Sequence, residues 1–536
     1  MLRLALLVLA TATLAACERP AAPAVAPAPP ASAAALVVPA PLGTPAATGI
    51  AWLAASTDAE VDAAFAQARE QGKPVLLYWG AEWCPPCNQL KATLFNRQDF
   101  IERTRAFVPV YLDGDRPGAQ KLGARFKVRG YPTLVLLNPA GQEMTRLPGE
   151  VDAQQITQVL TLALAMQRPV KAVLADARAG RPLSAGEWQL LAFYSWETDA
   201  GDEQAQVLPP KQLPAALREL AAACPPAQAE AGTRLFLKAW AAAEAPRPDA
   251  KARERFLAVL RSAEASRVQM DVLANHAEAL AKAFAPAGDK SRAAVLEAFD
   301  ASLAGLANDV TLSRADRASA SIARVQLARL DAAKRVPPAL MSDIREQVAR
   351  LDRETTDGYE RQAVIPTLAY LLREAGAAPD SDALLKANLA RSHSPYYLMS
   401  SLASNAKKRG DSAEALRWSQ EAYQRSEGPA TRLQWGAAHV ATLVELAPQD
   451  EARIEAAVLQ VLREAVAQPH AFYERSARSL QRVADTLATW QKKTPGHADA
   501  MARLRSELDA LCAAVPEADG QRDACRNLLS PKKASA

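Results

Sequence analysis

Two cysteines separated by two prolines are the residues in this chain whose types and spacing most clearly indicate chemistry. The motif reads Trp83-Cys84-Pro85-Pro86-Cys87, and an apolar run over 74–80 precedes it. We expect a strand over 74–80 and a helix that begins at Cys84, so that its sulfur lies where the helix dipole favours negative charge. Because the thiolate is the reactive form of cysteine, the motif predicts reversible disulfide chemistry between Cys84 and Cys87.

The two prolines act on this chemistry in opposite ways. Pro85 and Pro86 stiffen the first helical turn, where proline is tolerated because those N–H groups have no partner inside the helix. The same prolines remove two donors that could stabilise a thiolate. The sign of their net effect on the reduction potential therefore stays open.

Motifs downstream of the cysteines resemble those of the thioredoxin superfamily. They are Gly130-Tyr131-Pro132-Thr133, a following strand, the turn Asn138-Pro139-Ala140-Gly141 and Leu147-Pro148-Gly149. Together with Lys73-Pro74-Val75 and Thr93-Leu94-Phe95, they look most like the C-terminal thioredoxin domain of DsbD-type periplasmic reductases. The resemblance covers about residues 49–170 and implies an α/β thioredoxin-like fold.

This resemblance also implies roles for individual residues. Cys84 would attack a substrate disulfide and Cys87 would resolve the mixed disulfide. Trp83 would shield the sulfurs on one side. Pro132 would be cis and lie against Cys84, and the backbone of Tyr131 would pair with an extended substrate segment.

Two positions depart from the family pattern. The family's buried aspartate falls at Tyr78, and its lysine on the middle strand falls at Pro109. That pair is thought to accept the proton of the second cysteine. Cys87 would therefore need water, Glu82 or another group as its base.

The first residues predict export and attachment to a membrane. Residues 1–16 carry Arg3 and then an apolar core that is too short to cross a bilayer, as in a signal peptide. The ending Leu14-Ala15-Ala16-Cys17 resembles the lipobox of bacterial lipoproteins, which implies lipid on Cys17; an ordinary signal peptide with an incidental Cys17 is the alternative. Residues 17–48 are rich in proline and alanine and predict an extended tether. We expect a periplasm-facing, lipid-anchored protein, and Glu18 favours the outer membrane by analogy with enteric bacteria.

Size and charge limit the other functional classes. The chain has 536 residues, more than one domain requires, and a net charge of +4. It contains no basic run with interleaved aromatic residues, so nucleic-acid binding is not predicted. Beyond the leader, the apolar stretches are alanine-rich and interrupted by charged residues, so we expect no further membrane span. A reductase of this kind would need an upstream membrane electron donor.

The remaining cysteines have structural interpretations. The chain has six cysteines, and export permits disulfides. Cys512 and Cys525 lie close together near the C-terminus, and we predict a structural disulfide that pins a terminal helical hairpin. Cys224 is left over, as a small core residue or as a reactive thiol, and we favour the core.

A metal site is the rival interpretation of Cys84 and Cys87. Zinc requires about four ligands, and no histidine occurs before His276. The sequence therefore predicts neither a metal nor another cofactor.

The coarse pattern divides the chain into two kinds of structure. Within 49–170 we expect helices over 57–71, 84–95, 117–126 and 151–166, and strands over 74–80, 107–112, 133–138 and 142–147. Residues 171–536 are rich in alanine, leucine, arginine and glutamate and predict a large all-α, solenoid-like array of helical hairpins. Residues 399–422 are similar to a tetratricopeptide repeat, with a Gly410-Asp411 turn. Aromatic residues of this region could line a groove, but we expect them in the core: Trp188, Phe193, Tyr194, Trp196, Tyr396 and Tyr397.

Two functions follow from these features. The first is a cell-envelope thiol–disulfide oxidoreductase that acts on disulfide-bearing exported proteins, with the direction of electron flow open. The second is a helical-repeat interaction scaffold with a regulatory or vestigial thioredoxin module, which the loss of the buried acid at Tyr78 favours. A combined function, in which the array recruits the client of the thioredoxin domain, is natural.

Overall fold

The computed structural model describes residues 49–148, 152–166, 168–196, 207–242, 247–330, 335–493 and 496–530. The predicted signal peptide over 1–16, the predicted tether over 17–48 and Cys17 lie outside the described residues.

Five strands form one mixed sheet, and its central strand leads to the cysteines. The strands are β1 Leu53–Ala55, β2 Val75–Gly80, β3 Val108–Asp113, β4 Thr133–Leu137 and β5 Glu143–Pro148. Their order is β1-β3-β2-β4-β5; β3 is parallel to β1 and β2, and β4 is antiparallel to β2 and β5. Gly80 at the end of β2 pairs with Asp113 at the end of β3. The loop that carries the cysteines therefore starts beside Asp113.

Strand β2 is buried on both faces, as its continuous apolar run predicts. Leu76 and Tyr78 pack into the hydrophobic cluster on one side of the sheet. Val75, Leu77 and Trp79 pack into the cluster on the other side. Successive side chains of a strand point to opposite faces, so this strand stays apolar throughout because both faces are covered.

Local sequence signals determine where the helices around the sheet begin and end. These helices are α1 Asp58–Gln71, α2 Pro85–Leu90, α3 Gln98–Thr104, α4 Ala119–Arg125 and α5 Ala153–Met166. Helix α1 begins at Thr57, whose side chain accepts from the backbone N–H of Glu60, while the Glu60 carboxylate accepts from the backbone N–H of Thr57. It ends at Gly72, which has a φ of 63°; this left-handed conformation suits glycine.

The structure contains elements that the sequence pattern did not predict. Strand β1 has three residues, too few to show an alternating pattern. Helix α3 was also not predicted, and the predicted helix over 84–95 is α2 followed by a π-helical turn over Lys91–Phe95. The other predicted elements of this domain lie within two residues of their expected bounds.

The described residues after 169 form helices joined by loops and short 3₁₀ turns. The helices are α6 Val170–Arg178, α7 Ala185–Phe193, α8 Leu213–Ala223, α9 Ala229–Ala241, α10 Ala250–Arg261, α11 Ala263–Val268, α12 Met270–Asn275, α13 Ala277–Phe284, α14 Arg292–Asn308, α15 Arg314–Ala328, α16 Pro338–Glu354, α17 Gly358–Glu374, α18 Ala378–Asn388, α19 Pro395–Lys408, α20 Ser412–Arg425, α21 Pro429–Leu446, α22 Glu451–Val466, α23 Glu474–Lys493, α24 Ala498–Cys512 and α25 Gln521–Asn527.

Helices that are adjacent in the chain pack as pairs. Several helices also contact the helix two positions further along the chain. Pairs form between α14 and α15, between α19 and α20, and between α21 and α22; α21 also packs on α23, and α22 on α24. Arrays of stacked helical repeats show this pattern of contacts. The predicted repeat-like hairpin is α19 and α20, with Gly410 at a φ of 79° and the side chain of Asp411 accepting from the backbone N–H of Glu414 at 3.0 Å.

The helical region continues the core of the sheet domain. The cluster that contains Leu76 and Tyr78 extends through α5 and α7 to Leu217 of α8 and Leu235 of α9. Residues 49–536 accordingly form one compact unit. Among the described residues, no helix combines the length and the apolar character that crossing a membrane requires.

Candidate active site

The two cysteines of the motif form a disulfide at the amino end of α2. Cys84 caps this helix, and its Sγ accepts from the backbone N–H of Cys87 at 3.2 Å. Pro85 and Pro86 occupy the first helical positions, and the Cα atoms of the two cysteines are 5.2 Å apart. Cys84 is only 2% exposed and Cys87 is fully buried, so a substrate can approach only on the side of Cys84.

The loop before β4 supplies a second part of the site. The peptide bond between Tyr131 and Pro132 is cis, as the resemblance implied. The hydroxyl of Thr133 donates to the carbonyl of Gly130 at 2.9 Å and holds the loop. Tyr131 and Cys84 line the same cavity, and burial raises the pKa of the Tyr131 hydroxyl to about 12.

Trp83 is fixed by a carboxylate that also binds the helical region. Its Nε1 donates to Asp115 at 3.0 Å. Asp115 also accepts from the backbone N–H of Thr431 at 2.8 Å and from the Thr431 hydroxyl at 2.7 Å. One side chain thus joins the tryptophan beside the cysteines to the start of α21.

Aromatic residues of the helical region enclose Trp83. Tyr397 stacks on it at a centroid distance of 5.8 Å, and Trp435 meets it edge-on at 6.3 Å. The guanidinium of Arg475 lies 4.4 Å from the centre of the Trp83 ring and 4.8 Å from that of Tyr131, within the range of cation–π attraction. Tyr397 is half-buried: it packs against the hydrophobic cluster that contains Trp83, as the expectation of core packing has it, and it also lines the cavity beside Cys84.

The same expectation is correct for the other aromatic residues in that set. All of the following are buried: Trp188, Phe193, Tyr194, Trp196 and Tyr396.

Helix α2 is also bound from its other side by the helical region. Its Gln89 side chain donates to the hydroxyl of Ser313 at 3.0 Å and to the carboxylate of Asp316 at 2.9 Å. The side chain of Gln362 donates to the carbonyl of Trp83 at 3.4 Å. Burial raises the pKa of Asp316 to about 6, so this contact contains a carboxyl group that titrates in the weakly acidic range.

The cavity beside Cys84 has a volume of about 460 Å³ and a strongly cationic lining. Arg129 contributes from the sheet domain, and Arg475, Arg478 and Arg482 contribute from α23. The sequence argument missed all four, although the spacing of the last three places them on one helix face. Such a lining produces a positive electrostatic potential in the cavity.

The usual proton acceptor of thioredoxins has no equivalent at the matching positions. Burial raises the pKa of Tyr78 well above its ordinary value, so its hydroxyl stays protonated near neutral pH. Pro109 lies on β3 opposite Leu76. The carboxyl groups at this edge of the sheet include Glu82, which is exposed, and Asp113, whose pKa is raised by burial.

The other predicted cysteine sites are distant in sequence from this pair. Cys512 and Cys525 are joined by a disulfide between α24 and α25, with Cα atoms 5.7 Å apart. Cys224 is a free thiol, half-buried rather than within the core, and burial raises its pKa. Cys17, the predicted lipidation site, lies outside the described residues.

Comparisons with known proteins match the part of the chain that builds this site. A family described as a thioredoxin-like domain matches residues 61–164. The thiol:disulfide interchange protein DsbD 1 of Pseudomonas aeruginosa is 32% identical over 120 residues, which cover 22% of this chain and 20% of that protein. DsbD 2 of the same organism is 35% identical over 107 residues, covering 19% and 18%. This chain therefore spans about a fifth of the length of these two relatives.

A shorter relative matches the same region. Thioredoxin C-3 of Corynebacterium nephridii is 34% identical over 95 residues, which cover 18% of this chain and 61% of that protein. Family, relatives and geometry agree: residues 61–164 form a thioredoxin-like domain that is homologous to the thioredoxin domains of DsbD proteins, and a large helical region follows it.

Proposed function

We propose that this protein is a thiol–disulfide oxidoreductase of the cell envelope that reduces or exchanges disulfides of exported proteins. One observation carries the proposal: Cys84 and Cys87 form a disulfide at the amino end of a helix, and Cys84 shares its cavity with the Tyr131 side of a cis-proline loop. The relatives named thiol:disulfide interchange proteins support the same chemistry.

In the reducing direction, the dithiol form transfers two electrons to the substrate. The thiolate of Cys84 attacks one sulfur of the substrate disulfide, forms a mixed disulfide and expels the other substrate sulfur as a thiolate, which takes up a proton. The thiol of Cys87 then loses its proton and attacks the sulfur of Cys84. This step releases the second substrate thiol and leaves the Cys84–Cys87 disulfide.

Residues around the pair would have further roles in this reaction. Trp83, whose Nε1 donates to Asp115, would cover the sulfurs from one side. Tyr131 and Pro132 form the loop along which an extended substrate would pair. The proton of Cys87 would pass to water or to a carboxylate at this edge of the sheet, of which Asp113 has the raised pKa that suits a proton acceptor.

The proposed location follows from the first residues of the chain. Lipid on Cys17 and the proline-rich tether over 17–48 would hold the enzyme at a membrane surface, facing the periplasm. After each turnover, an upstream membrane dithiol donor would have to return two electrons to the Cys84–Cys87 disulfide.

A trapping experiment tests the proposed function. Replacing Cys87 with serine removes the group that resolves the mixed disulfide, so clients should accumulate on Cys84 as covalent adducts that dithiothreitol releases. The variant that carries both Cys84→Ala and Cys87→Ser is the matched control and should trap none. Equal adducts on both variants, or none on Cys87→Ser, would contradict the proposal.

The scaffold function remains the alternative, and the replacement of the buried acid by Tyr78 favours it. It predicts a different pattern of phenotypes. Cys84→Ala should then leave the cellular function intact, whereas removal of the helical region should abolish it.

A further inference from the structure

One face of α23 presents arginines to the cavity that contains Cys84. Arg475, Arg478 and Arg482 are three and four residues apart, so they lie on the same side of the helix. All three line the cavity, together with Arg129. None of the described residues that line this cavity carries a carboxylate.

The three arginines of α23 differ in their partners. Arg478 pairs with Glu474 at 2.7 Å and donates to the carbonyl of Arg129 at 3.0 Å, whereas Arg482 is exposed and has no ion-pair partner among the described residues. The Nη1 atom of Arg475 is buried, and no described residue accepts a hydrogen bond from it. The guanidinium of Arg475 lies over the rings of Trp83 and Tyr131, which also line the cavity, so its charge adds to the positive potential there.

A second cavity shares lining residues with the cationic cavity. That second cavity has a volume of about 740 Å³ and lies between the facing sides of α21 and α23. Arg478 and Arg482 line both cavities, whereas the second cavity is also lined by Glu445, Asp485 and Lys493, so the excess of positive charge is confined to the end beside Cys84. From Arg475 to Trp490, the face of α23 that lines them extends about 22 Å, at about 1.5 Å per residue.

We refer to the two cavities together as the groove, and its length distinguishes between possible substrates. A distance of about 22 Å accommodates about six or seven extended residues, which exceeds the size of a small-molecule disulfide. Carboxylates on a polypeptide would meet the arginines only if they lay close to the cysteine that reaches Cys84. The attraction would raise the local concentration of such a segment and fall with added salt.

Building on the proposed function, we propose that the groove formed by α21 and α23 binds a polypeptide segment whose disulfide cysteine is flanked by acidic residues. The arginines of α23 hold the carboxylates, and the segment extends along the groove towards Trp490. The helical region thereby selects the client that the thioredoxin-like domain acts on.

Synthetic probes test this substrate class on the full chain. The chain is reduced with dithiothreitol, freed of excess reductant and mixed with peptides that carry one cysteine as a mixed disulfide with 2-thiopyridine. The peptides differ only in the residues next to that cysteine, which are glutamate, glutamine or lysine. Attack by the Cys84 thiolate on the peptide sulfur forms the Cys84–peptide disulfide and expels pyridine-2-thiolate. Its absorbance, after subtraction of the signal from the Cys84→Ala chain treated in the same way, gives the rate.

We expect the glutamate probe to react fastest and the lysine probe slowest. In the double variant Arg478→Gln and Arg482→Gln, the ratio of the glutamate rate to the glutamine rate should fall by about fivefold, since an exposed ion pair contributes up to about that factor. Lys492→Gln removes an exposed charge of the same helix that lies outside both cavities, and it should leave the ratio unchanged.

The other outcomes are distinct. Equal rates for the three probes, or an unchanged ratio in the double variant, would overturn the acidic substrate class while leaving the proposed function intact. An equal or faster reaction of the mixed disulfide of glutathione with 2-thiopyridine, which has the same leaving group, would overturn the polypeptide assignment. Failure of every probe to react would overturn the proposed function, and this inference with it.

Discussion

Replacing Asp316 with asparagine should stabilise this protein at neutral pH. Asp316 is buried where α15 meets α2, and its carboxylate accepts from Gln89 at 2.9 Å and from the hydroxyl of Ser313 at 2.7 Å. Burial raises its pKa from 3.8 to about 6 because a charge is poorly solvated there, and the two hydrogen bonds only partly oppose this effect. Asparagine has nearly the same shape, keeps an oxygen for Gln89 and cannot ionise.

The sign and size of the effect follow from proton linkage. With a raised pKa, the folded state holds the proton more tightly than the unfolded state, so the stability contributed by Asp316 is complete below about pH 4 and is lost as the pH rises through about 6. A pKa difference from 3.8 to about 6 corresponds to at most about 3 kcal/mol. Asparagine avoids this loss. As the pH rises from about 4 to neutral, the free energy of unfolding of Asp316→Asn should therefore increase relative to that of the wild type by up to about 3 kcal/mol.

Urea unfolding followed by tryptophan fluorescence at a series of pH values measures this directly. The relevant quantity is the difference between the two proteins, because the other titrating groups are common to both. We expect the advantage of Asp316→Asn in the free energy of unfolding to grow between about pH 4 and neutral pH and then to level off. A difference that stays constant across the range would refute the assignment of a charged, destabilising Asp316 at neutral pH.

Two further predictions concern stability. Replacing Cys512 and Cys525 with serine should cost about 3 kcal/mol, the entropy of the loop closed by a separation of 13 residues; hydrogen exchange in α24 and α25 would measure it, and unchanged protection would contradict it. Arg234→Met should cost about 3–5 kcal/mol because it leaves Asp271 buried without its bidentate partner at 2.8 and 2.5 Å. The double variant with Asp271→Leu should lose less in urea unfolding, and a larger loss would contradict the ion-pair explanation.

The sheet domain was largely predictable because its signals are local. The Thr57 and Glu60 capping box, the glycine at position 72 and the apolar run of β2 each define an element within a few residues. The cysteine motif follows β2 directly, so its position at a helix start could be inferred from the same short stretch. Strand β1 could not be predicted because three residues are too few to show an alternating pattern. Its pairing with β3 depends on residues far along the chain.

The walls of the site were not predictable because they come from far along the chain. Trp83 is enclosed by Tyr397 and Trp435 and is tied through Asp115 to Thr431. No local pattern records contacts between residues more than 300 positions apart. The sequence could not show that Tyr397 faces a cavity as well as the core, since an aromatic residue on a helix has the same sequence signature in both settings.

The spacing of the arginines on α23 was a usable signal that gained meaning only from the fold. A basic face at helical spacing usually lies in solvent, and here α21 and the sheet domain place it beside Cys84. The sequence thus shows which residues share a helix face, but it does not show which part of the fold lies next to that face.

The reduction potential of the Cys84–Cys87 pair in the full chain is the property on which the proposed redox function depends. The chain would be equilibrated in dithiothreitol or glutathione redox buffers, and the free thiols of each cysteine quantified by alkylation and mass spectrometry. We expect a reversible pair with a potential of about −270 mV, which is that of a reductase supplied by an upstream donor. A value near about −120 mV would contradict the reducing direction, and failure of the pair to form a disulfide in any buffer would contradict redox function altogether.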